Sequence, residues 1–512
     1  MAESSNIEKG TSGLSTTVPT TCPSTQQLES YPQDATQRLA AEDDREEQSI
    51  VDWNGPDDPE NPMNWPESRK WVNLTVMSIL SIISTQGSSM FAPGVPKLMA
   101  EFGNTSPMAS TFVVSIYFLG FAFGPLVVAP LSEIYGRVYV YHAENVAFTA
   151  FSIGAALSVN LDMLMAFRLL MGVSGSVPTT VGVGSVVDVM KPEKRGRAIS
   201  LWALGPLMDP CLGPIAGGYL IEAAGWRWIY WLLAIMGGAF GILALLVMRE
   251  TFAPVLLERK AKAMRKTTGN YTLRSKLDTE GPSRIKMALI RPLKFLFRTP
   301  LVSTIAVYVG IVYGIFYLLV TTFSFVYSSQ YGFDEGETGL SFLPADLGMM
   351  IGVLSLGHLQ DYLVLRAKQQ SEDDGKYKLE VKLTPWITLP SGLMMPIGLL
   401  LYGWACHYKV HWIVPMIGAM VFSLGLTGAT MSLQSYQMDS YPRYAASGSA
   451  AVILLRSLIG ALLPLGGLKM YDALGLGWGN SLLALVCLLL VPVPVGLYFL
   501  GERLRKRYDP VL

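Results

Sequence analysis

The chain has 512 residues, of which 51% are hydrophobic and only 15% are charged, with 39 basic and 39 acidic residues. Soluble domains carry roughly 25% charged residues, so this composition predicts an all-α integral membrane protein and excludes most soluble enzymes. The formal net charge is zero, which gives no reason to expect a nucleic-acid partner. The four cysteines are too few and too scattered to form a disulfide framework.

The first 68 residues differ in composition from the rest of the chain. They contain 14 acidic residues against three basic ones, and they begin with a stretch rich in Ser, Thr, Pro and Gln. Such a segment cannot bury enough apolar surface to fold, so we expect residues 1–68 to be a disordered tail. The tail lacks a basic start followed by an apolar run, so we do not expect a secretory signal peptide.

Apolar stretches of spanning length recur from Trp71 onward. A hydrocarbon core of ~30 Å needs about 20 residues per helix. We predict twelve spans, at 71–92, 109–130, 139–159, 163–187, 198–221, 227–248, 301–327, 339–364, 384–406, 411–436, 444–469 and 478–500. They would form two six-helix bundles, at 69–248 and 301–500, joined by a linker at 249–300 and followed by a tail at 501–512.

Lys and Arg residues are distributed unevenly between the two sides of these spans. The N-terminal tail, the linker and the 365–383 loop share one side and carry most of them. The opposite side holds only four, which are Lys97, Arg227, Lys409 and Lys469. Because basic loops stay in the cytoplasm, we predict that both termini and the linker are cytoplasmic. The sequon at Asn104 then lies outside, where it can be glycosylated.

The two predicted halves share short sequence strings. Residues 129–137 read APLSEIYGR after span 2, and residues 357–361 read GHLQD after span 8. Both strings place an acid after a small residue and a leucine, at Glu133 and at Asp361. Asp188 and Asp439 similarly end spans 4 and 10. Two related six-helix halves are the arrangement expected of a secondary transporter.

Several longer motifs resemble those of one family. They are DWNGPDDPENPMNW (Asp52 to Trp65), GPLVVAPLSEIYGR (Gly124 to Arg137), RLLMGVSGS (Arg168 to Ser176), GPIAGG (Gly213 to Gly218), YGF (Tyr331 to Phe333) and RSLIGALLPLGG (Arg456 to Gly467). As a set they resemble the major facilitator superfamily, and within it the fungal twelve-span drug:proton antiporters. The resemblance covers essentially the whole chain from Asp52 onward, but Val138 stands where the family usually has a second basic residue.

The resemblance implies a conformational latch at the turn after span 2. Its members there are Glu133, Gly136 and Arg137, with Arg137 able to reach Asp188 at the end of span 4. The repeat adds Asp361 and Asp439 as the corresponding residues of the second half. A latch of this kind closes one face in one state and breaks in the other. The alternative is that these charges lie at the interface and only fix topology.

Charged residues within the predicted spans are candidates for proton coupling, and the three we select are Arg168, Asp209 and Asp346. The family resemblance gives Arg168 this role, and a charge at the centre of a span costs roughly 2.5–3.5 kcal/mol unless it faces a cavity or a partner. Asp209 and Asp346 are the candidate proton carriers, while Glu144 is close enough to the cytoplasmic end to reach water. The alternatives are that Arg168 extends to the membrane surface and that Asp209 is a neutral packing residue. Arg456, in span 11, is left open between function and packing.

The antiporter motif of the resemblance is Gly213, Pro214, Gly217 and Gly218. Small residues let helices approach closely, and proline removes a backbone hydrogen bond. The resemblance implies that a bend here seals the outer path and marks exporters. Asp209 stands where the family usually has glycine, four residues before the motif.

Polar and aromatic side chains on facing spans are candidates for the substrate path. Ser78, Ser81 and Thr85 share one face of span 1. The other candidates are Tyr313, Tyr317, Thr321 and Thr322 in span 7, and Gln434 and Gln437 in span 10. An aromatic wall suits a bulky apolar or planar substrate. The alternative is that these side chains only pack the helices together.

These observations predict a proton-coupled exporter of amphiphilic organic compounds such as drugs, toxins or secondary metabolites. The alternatives are a proton symporter that imports a small metabolite, and a transporter-like nutrient receptor. We expect no enzymatic activity, no cofactor and no ATP, since the chain has no glycine-rich phosphate loop. His407 and His411 have a metal-like spacing, but we expect no metal there. We expect a monomer in the plasma membrane, with the vacuolar membrane as the alternative.

Overall fold

The computed structural model describes residues 50–277, 283–371, 378–441 and 445–508 of the chain. Its helices are α1 Glu67–Ser89, α2 Val95–Glu101, α3 Pro107–Tyr135, α4 Arg137–Ala156, α5 Leu161–Gly175, α6 Val177–Val189, α7 Pro192–Ala224, α8 Arg227–Val247, α9 Ala253–Thr268, α10 Ser283–Arg298, α11 Pro300–Tyr331, α12 Glu335–Leu340, α13 Leu343–Ser371, α14 Pro385–His407, α15 Ile413–Ser440, α16 Ala445–Leu462, α17 Gly467–Leu490 and α18 Pro492–Arg507. Two short strands are β1 Ile50–Val51 and β2 Arg274–Ser275.

Helices lie at all twelve predicted spans. Nine stretches of the described residues are long and apolar enough to cross a membrane, and the longest, Ser447–Arg507, covers the last two predicted spans. The predicted spans outside these nine stretches coincide with α4 and α7, which carry the buried carboxyl groups of Glu144 and Asp209. The helices are therefore consistent with the predicted count of twelve.

Proline and glycine divide some of the predicted spans. Span 4 consists of α5 and α6, which meet at Ser176 just before Pro178. The last helix is interrupted at Val491 before Pro492, since proline cannot donate the backbone hydrogen bond that would continue the helix. The backbone of α17 leaves the helical conformation at Gly475, where φ is +75°. Helix α18 continues to Arg507, so the tail predicted at 501–512 is helical over most of its described part.

Residues 53–66 are more ordered than their composition predicts. The Asp58 carboxylate accepts hydrogen bonds from the backbone N–H groups of Asn54 and Glu60, at 2.8 and 2.9 Å. The Asn64 amide donates to the Pro56 carbonyl at 2.7 Å, and the Lys70 ammonium donates to the Met63 carbonyl at 2.7 Å. The disorder expected for 1–68 therefore does not extend to this segment, because its polar side chains satisfy its own backbone. Residues 1–49 lie outside the described part.

Each half of the bundle has its own apolar core. In the first half α3 packs on α5, and α4 packs on both α5 and α8. In the second half α14 packs on α15 and α17, while α11 packs on α16. The halves meet where α3 contacts α16 and where α7 contacts α12 and α13. We name the two ends of the bundle after residues that mark them, the Asn104 end and the Arg137 end.

The strands β1 and β2 form a parallel pair, with Ile50 opposite Arg274. Lys276 closes the pair through an ion pair with Asp52, with 2.5 Å between its ammonium nitrogen and the carboxylate. Val51 packs there with Ala261 and Leu273. The segment before the first helix is thus joined to the linker, a contact that the sequence alone did not predict.

Candidate transport site

Arg168 of α5 is completely enclosed in the first half of the bundle. Its guanidinium donates to the Tyr230 hydroxyl at 2.9 Å and to the Val114 carbonyl at 3.4 Å. It also lies over the ring of Phe91, 4.8 Å from its centroid, and near Tyr117 at 5.8 Å. Its relative exposure is 0%, so it does not extend to the membrane surface. The charge is held by neutral acceptors and aromatic faces.

Asp209 of α7 lies against the end of α1. The Ser89 hydroxyl donates to one carboxylate oxygen at 2.9 Å, and the Ser88 hydroxyl faces the other at 3.4 Å. Only 6% of the residue is exposed. The sequence identified Asp209 as unusual, and the structure adds two hydroxyl groups that hold its carboxyl group in one position.

Asp346 and Glu144 are also buried carboxyl groups. Asp346 lies in the first turn of α13 with 6% exposure, and neither of its carboxyl oxygens has a hydrogen-bond partner among the described residues. Glu144 of α4 is 7% exposed, and one of its oxygens lacks a partner in the same part of the chain. The expectation that Glu144 reaches water is therefore wrong, because the neighbouring helices enclose it.

The glycines of the antiporter motif bring α7 into backbone contact with its neighbours. A Cβ atom on Gly217 would lie 1.9 Å from the Met90 carbonyl oxygen, and one on Gly213 would lie 2.0 Å from the Ser89 hydroxyl. A Cβ atom on Gly218 would lie 2.2 Å from the Glu335 carbonyl oxygen of the second half. Helix α7 passes through Pro214 without interruption. These contacts leave no room for side chains. Those of Gly213 and Gly217 lie within the first half, and that of Gly218 joins the two halves at the Asn104 end.

Two polar contacts also join the halves at this end. Lys97 of α2 forms an ion pair with Glu335 of α12, with 2.9 Å between nitrogen and oxygen. The Ser324 hydroxyl of α11 donates to the Ala92 carbonyl at 2.9 Å. We call the glycine contacts of α7 and these two contacts the Asn104-end seal.

An aromatic cluster lies where α3 meets α11. The rings of Phe118 and Tyr317, which belong to different halves, have centroids 4.1 Å apart. The Arg456 guanidinium lies over the Tyr313 ring, 4.8 Å from its centroid. Tyr313 and Tyr317 are both partly exposed. This cluster is the part of the predicted substrate path in which aromatic side chains and a charge meet between the halves.

The hydroxyl groups predicted to line the path mostly bond to their own helices. Ser78 donates to the Leu74 carbonyl at 2.8 Å, and Thr85 donates to the Ser81 carbonyl at 3.0 Å. Thr321 and Thr322 likewise donate to the Leu318 carbonyl. Ser81 has no exposed surface, while Gln434 is partly exposed. The hydroxyl groups of Ser78, Thr85, Thr321 and Thr322 therefore each have an acceptor within their own helix.

At the Arg137 end, the turn between α3 and α4 brings together the residues predicted to form a latch. The Arg137 side chain forms an ion pair with Asp188 of α6, with 3.2 Å between nitrogen and oxygen. It also donates to the Ser132 hydroxyl at 2.8 Å. Gly136 has φ +100°, a conformation that favours glycine. Glu133, in contrast, is exposed.

Glu250 is the residue of this turn that sequence reasoning missed. Its carboxylate accepts from the backbone N–H groups of Arg137 at 2.9 Å and Val138 at 3.3 Å, which are the first residues of α4. It also accepts from Thr251 and Phe252, both at 3.1 Å. Glu250 therefore caps α4 from the chain that follows α8. The sequence distinguishes Glu250 only by its position, because it is an acidic residue at the start of a basic linker, just after span 6.

The second half contains a different set of contacts at the corresponding turn. Lys382 forms an ion pair with Asp439 of α15, with 2.6 Å between nitrogen and oxygen. Glu380 accepts from the Tyr436 hydroxyl at 3.0 Å and lies 3.3 Å from the Arg505 guanidinium of α18. The side chain of Asp361, the predicted counterpart of Glu133, lies outside the described residues.

A cavity of about 490 Å³ lies near Asn104 at the end named after it. Residues of both halves line it, among them Ser110, Phe325, Tyr471 and Asp472. The Asn104 side chain accepts a hydrogen bond from the backbone N–H of Ser106 at 2.8 Å. His407 and His411 each pack against a tryptophan, Trp404 and Trp412 respectively.

The sequence is similar to those of known membrane transporters. Residues 77–464 match the family model described as the Major Facilitator Superfamily. The chain is 45% identical over 474 residues to the efflux pump radE of Floropilus chiversii, covering 92% of this chain and 88% of the relative. It is also 45% identical over 468 residues to the MFS-type transporter tndD of Aspergillus flavipes, covering 90% and 86% of the two chains.

Solved structures show the same fold at low sequence identity. A bacterial homologue of the human lysosomal transporter Spinster, in an inward-facing conformation, aligns with a TM-score of 0.61 and 14% identity, covering 86% of this chain and 99% of the other. The xylose transporter XylE of E. coli, in a partially occluded inward-open conformation, aligns with a TM-score of 0.59 and 14% identity, covering 85% and 98%. With the family model and the curated relatives, these matches establish that the chain belongs to the major facilitator superfamily and is a multi-pass membrane transporter, not an enzyme.

Proposed function

We propose that this transporter is a proton-coupled antiporter that exports amphiphilic organic compounds, such as drugs, toxins or secondary metabolites, by alternating access. The observation that carries the proposal is the enclosed carboxyl group of Asp209, which is held by two serines of α1. One of them, Ser89, also contacts Gly213 of the Asn104-end seal. A carboxyl group in this position can bind and release a proton when the helices around it separate and admit water. That one relative is called an efflux pump supports export.

The proposal includes the remaining parts of the transport cycle. Arg168 contributes to proton coupling, and the Arg137–Asp188 pair acts as a latch at the opposite end. The aromatic cluster of Tyr313, Tyr317 and Phe118 provides contact area for a bulky planar substrate. The transporter acts as a monomer in the plasma membrane, with both termini in the cytoplasm.

Transport in inside-out membrane vesicles tests the energy source. An acid-inside pH gradient should drive uptake of a lipophilic dye, and an uncoupler should abolish it. Membranes from cells that lack the transporter provide the control. Uptake that survives the uncoupler but requires ATP would exclude a proton antiporter.

Substitutions at two positions test the coupling residues. Arg168→Lys keeps the charge but loses the planar fork that bonds Tyr230 and Val114, so we expect reduced transport at normal expression. Asp209→Asn keeps the shape but cannot titrate, so the pH dependence of transport should flatten. Asp209→Gly, which restores the family pattern, is the matched variant. If both Asp209 variants transport like the parent at every pH, the proton site lies elsewhere.

Glycan mapping tests the proposed orientation. We expect modification at Asn104 and at neither Asn73, within α1, nor Asn270, in the linker. A glycan on Asn270 would reverse the assignment of the two sides.

A further inference from the structure

The linker helix α10 joins the membrane-crossing helix α11 almost directly. Only Thr299 lies between the end of α10 and the start of α11. The far end of α11 lines the cavity near Asn104, so α10 lies at the Arg137 end of the bundle. The apolar residues of α11 begin at Leu301. The last turn of α10 is therefore at the level where the hydrocarbon core meets the lipid headgroups.

One face of α10 packs on both halves of the transporter. The helix contacts α3 of the first half, and α11 and α16 of the second. The Phe295 ring is fully buried in the apolar core and packs edge-to-face on Tyr441, with 5.9 Å between the ring centroids. Pro292 is buried on the same face of the helix. These contacts determine which side of α10 points away from the protein.

The opposite face of α10 exposes large apolar side chains. Phe297 is 81% exposed, and Leu293, one turn earlier, is 39% exposed. Residues four apart lie on the same face of a helix, so these two side chains form one apolar strip. At the level of the headgroups, such a strip is stabilised when it inserts among the acyl chains of the adjoining leaflet.

Basic side chains border this apolar strip. Helix α10 contains no acidic residue and five basic ones, which are Arg284, Lys286, Arg291, Lys294 and Arg298. Lys294 and Arg298 each follow a residue of the strip and lie one turn apart. Neither forms an ion pair with a side chain in the described part of the chain. Their charges are therefore available to an anion at the membrane surface.

We propose that Leu293, Lys294, Phe297 and Arg298, which we call the lipid face of α10, bind anionic phospholipids of the leaflet at the Arg137 end. The two basic side chains bind the phosphate groups, and the two apolar side chains insert among the acyl chains below them. Each basic residue near an anionic membrane surface strengthens binding by about fivefold. This inference goes beyond the proposed antiport and does not depend on the energy source of transport.

A phospholipid fits the lipid face better than a soluble partner does. A soluble phosphate would contact only the charges of Lys294 and Arg298 and would leave Phe297 uncovered. An acidic protein segment would have to displace lipid in order to cover Phe297, because that side chain lies at the level of the headgroups. An anionic phospholipid supplies both the negative charge and the apolar surroundings.

Hydrogen exchange followed by mass spectrometry locates lipid binding on the full-length transporter. The protein is reconstituted in nanodiscs of phosphatidylcholine alone and in nanodiscs that also contain phosphatidylserine. We expect the backbone amides of α10 to exchange at least about fivefold more slowly with phosphatidylserine, since bound lipid stabilises the folded helix. Raising the salt from ~0.1 M to ~1 M shortens the screening length from about 10 Å to about 3 Å, so the difference should shrink.

Substitutions assign this protection to the lipid face. Lys294→Gln combined with Arg298→Gln should remove most of the difference between the two kinds of nanodisc. Lys266→Gln, which removes an exposed base from the other linker helix α9, is the matched control and should leave the difference unchanged. Phe297→Ser should speed exchange of α10 in both kinds of nanodisc. Phe297→Trp keeps an aromatic ring suited to the membrane interface and should behave like the parent.

Several outcomes would overturn the lipid site. Equal exchange of α10 in the two kinds of nanodisc would do so, as would an unchanged difference in the variant that lacks both Lys294 and Arg298. Protection by free glycerophosphoserine in phosphatidylcholine nanodiscs would indicate a soluble phosphate ligand instead. Protection in membranes of the producing cells but in neither nanodisc would indicate a protein partner. None of these measurements involves transport, so their failure and that of the proposed antiport are distinguishable.

Discussion

At the Arg137 end, each half of the transporter contains a cluster of charged side chains. The two clusters share an ion pair of the same kind but differ in the sign of the charge of a third member. In each half a basic residue of the turn after the second helix pairs with an acid at the end of the fourth, Arg137 with Asp188 and Lys382 with Asp439. A third member comes from the sixth helix or from the chain directly after it. In the first half, the chain after that helix contributes the acid Glu250, whereas in the second half the helix contributes a base, Arg505.

The difference shows that a structural repeat can persist where the sequence repeat has been lost. Asp361 corresponds to Glu133, so the counterpart of Arg137 is Leu365, which is exposed. The basic residue that pairs with Asp439 is instead Lys382, beyond a longer connecting loop. Both halves place a cation beside the acid at the end of the fourth helix, but the two cations come from different positions of the repeat.

The largest expected effect comes from removing the acid of the first cluster. Glu250→Ala leaves four backbone N–H groups without their acceptor, and the Glu250 side chain is only 5% exposed. We expect a loss of about 3–5 kcal/mol in the free energy of unfolding in mixed micelles. Glu250→Gln keeps an acceptor and should lose less than half as much. Equal stability of Glu250→Ala and the parent would mean that α4 needs no cap.

The corresponding change in the second half should have a smaller effect. Arg505→Ala leaves Glu380 buried with the Tyr436 hydroxyl as its remaining partner among the described side chains, so we expect a loss of about 2–3 kcal/mol in the same assay. Arg505→Lys, which keeps the charge, is the matched control. A loss as large as that of Glu250→Ala would show that the stability of the protein depends equally on Arg505 and on Glu250.

Double-mutant cycles compare the two ion pairs directly. Both side chains of the Arg137–Asp188 pair are largely buried, at 13% and 17% exposure, whereas Asp439 in the other pair is 44% exposed. We expect a coupling energy of about 1–2 kcal/mol for the first pair and less than about 1 kcal/mol for the second. Raising the salt concentration should weaken the second coupling more. The reverse order would mean that exposure does not determine their strength.

The smallest change in stability is expected at Arg366, the residue after Leu365. Arg366 follows the counterpart of Arg137 and is exposed, so Arg366→Ala should change the free energy of unfolding by no more than about 0.5 kcal/mol. Transport activity measured on the same variant should match the parent. A clear loss of either would show that the second half uses a basic residue beside the motif position.

Features encoded by local composition could be predicted from the sequence. The positions of the membrane helices follow from apolar length, and Arg168 and Asp209 were identified because charges are rare within such helices. The Arg137–Asp188 contact followed from a motif. The glycines of α7 were recognised, but their role as backbone contacts with Met90 and Glu335 required coordinates.

Features that depend on distant parts of the chain could not be predicted. Glu250 is 113 residues from Arg137, and nothing in its surroundings distinguishes a capping acid from an ordinary loop acid. The order of residues 53–66 was not predicted. Composition describes the average polarity of a segment, but it does not show which side chains form hydrogen bonds with the backbone of that segment. Most of the serines and threonines proposed for the substrate path donate hydrogen bonds to backbone carbonyls of their own helices. The position of a residue on a helix face does not show whether its hydroxyl group bonds to the backbone or to another partner.

The strand pair that joins residues 50–51 to residues 274–275 has a consequence for the order of synthesis. Its two partners are separated along the chain by the first six membrane helices, so β1 leaves the ribosome long before β2 exists. The pair can form only after the entire first half has been translated and the linker has emerged. Its formation is therefore a late event in translation, and a probe on Asp52 and Lys276 would record the time at which the first half is complete.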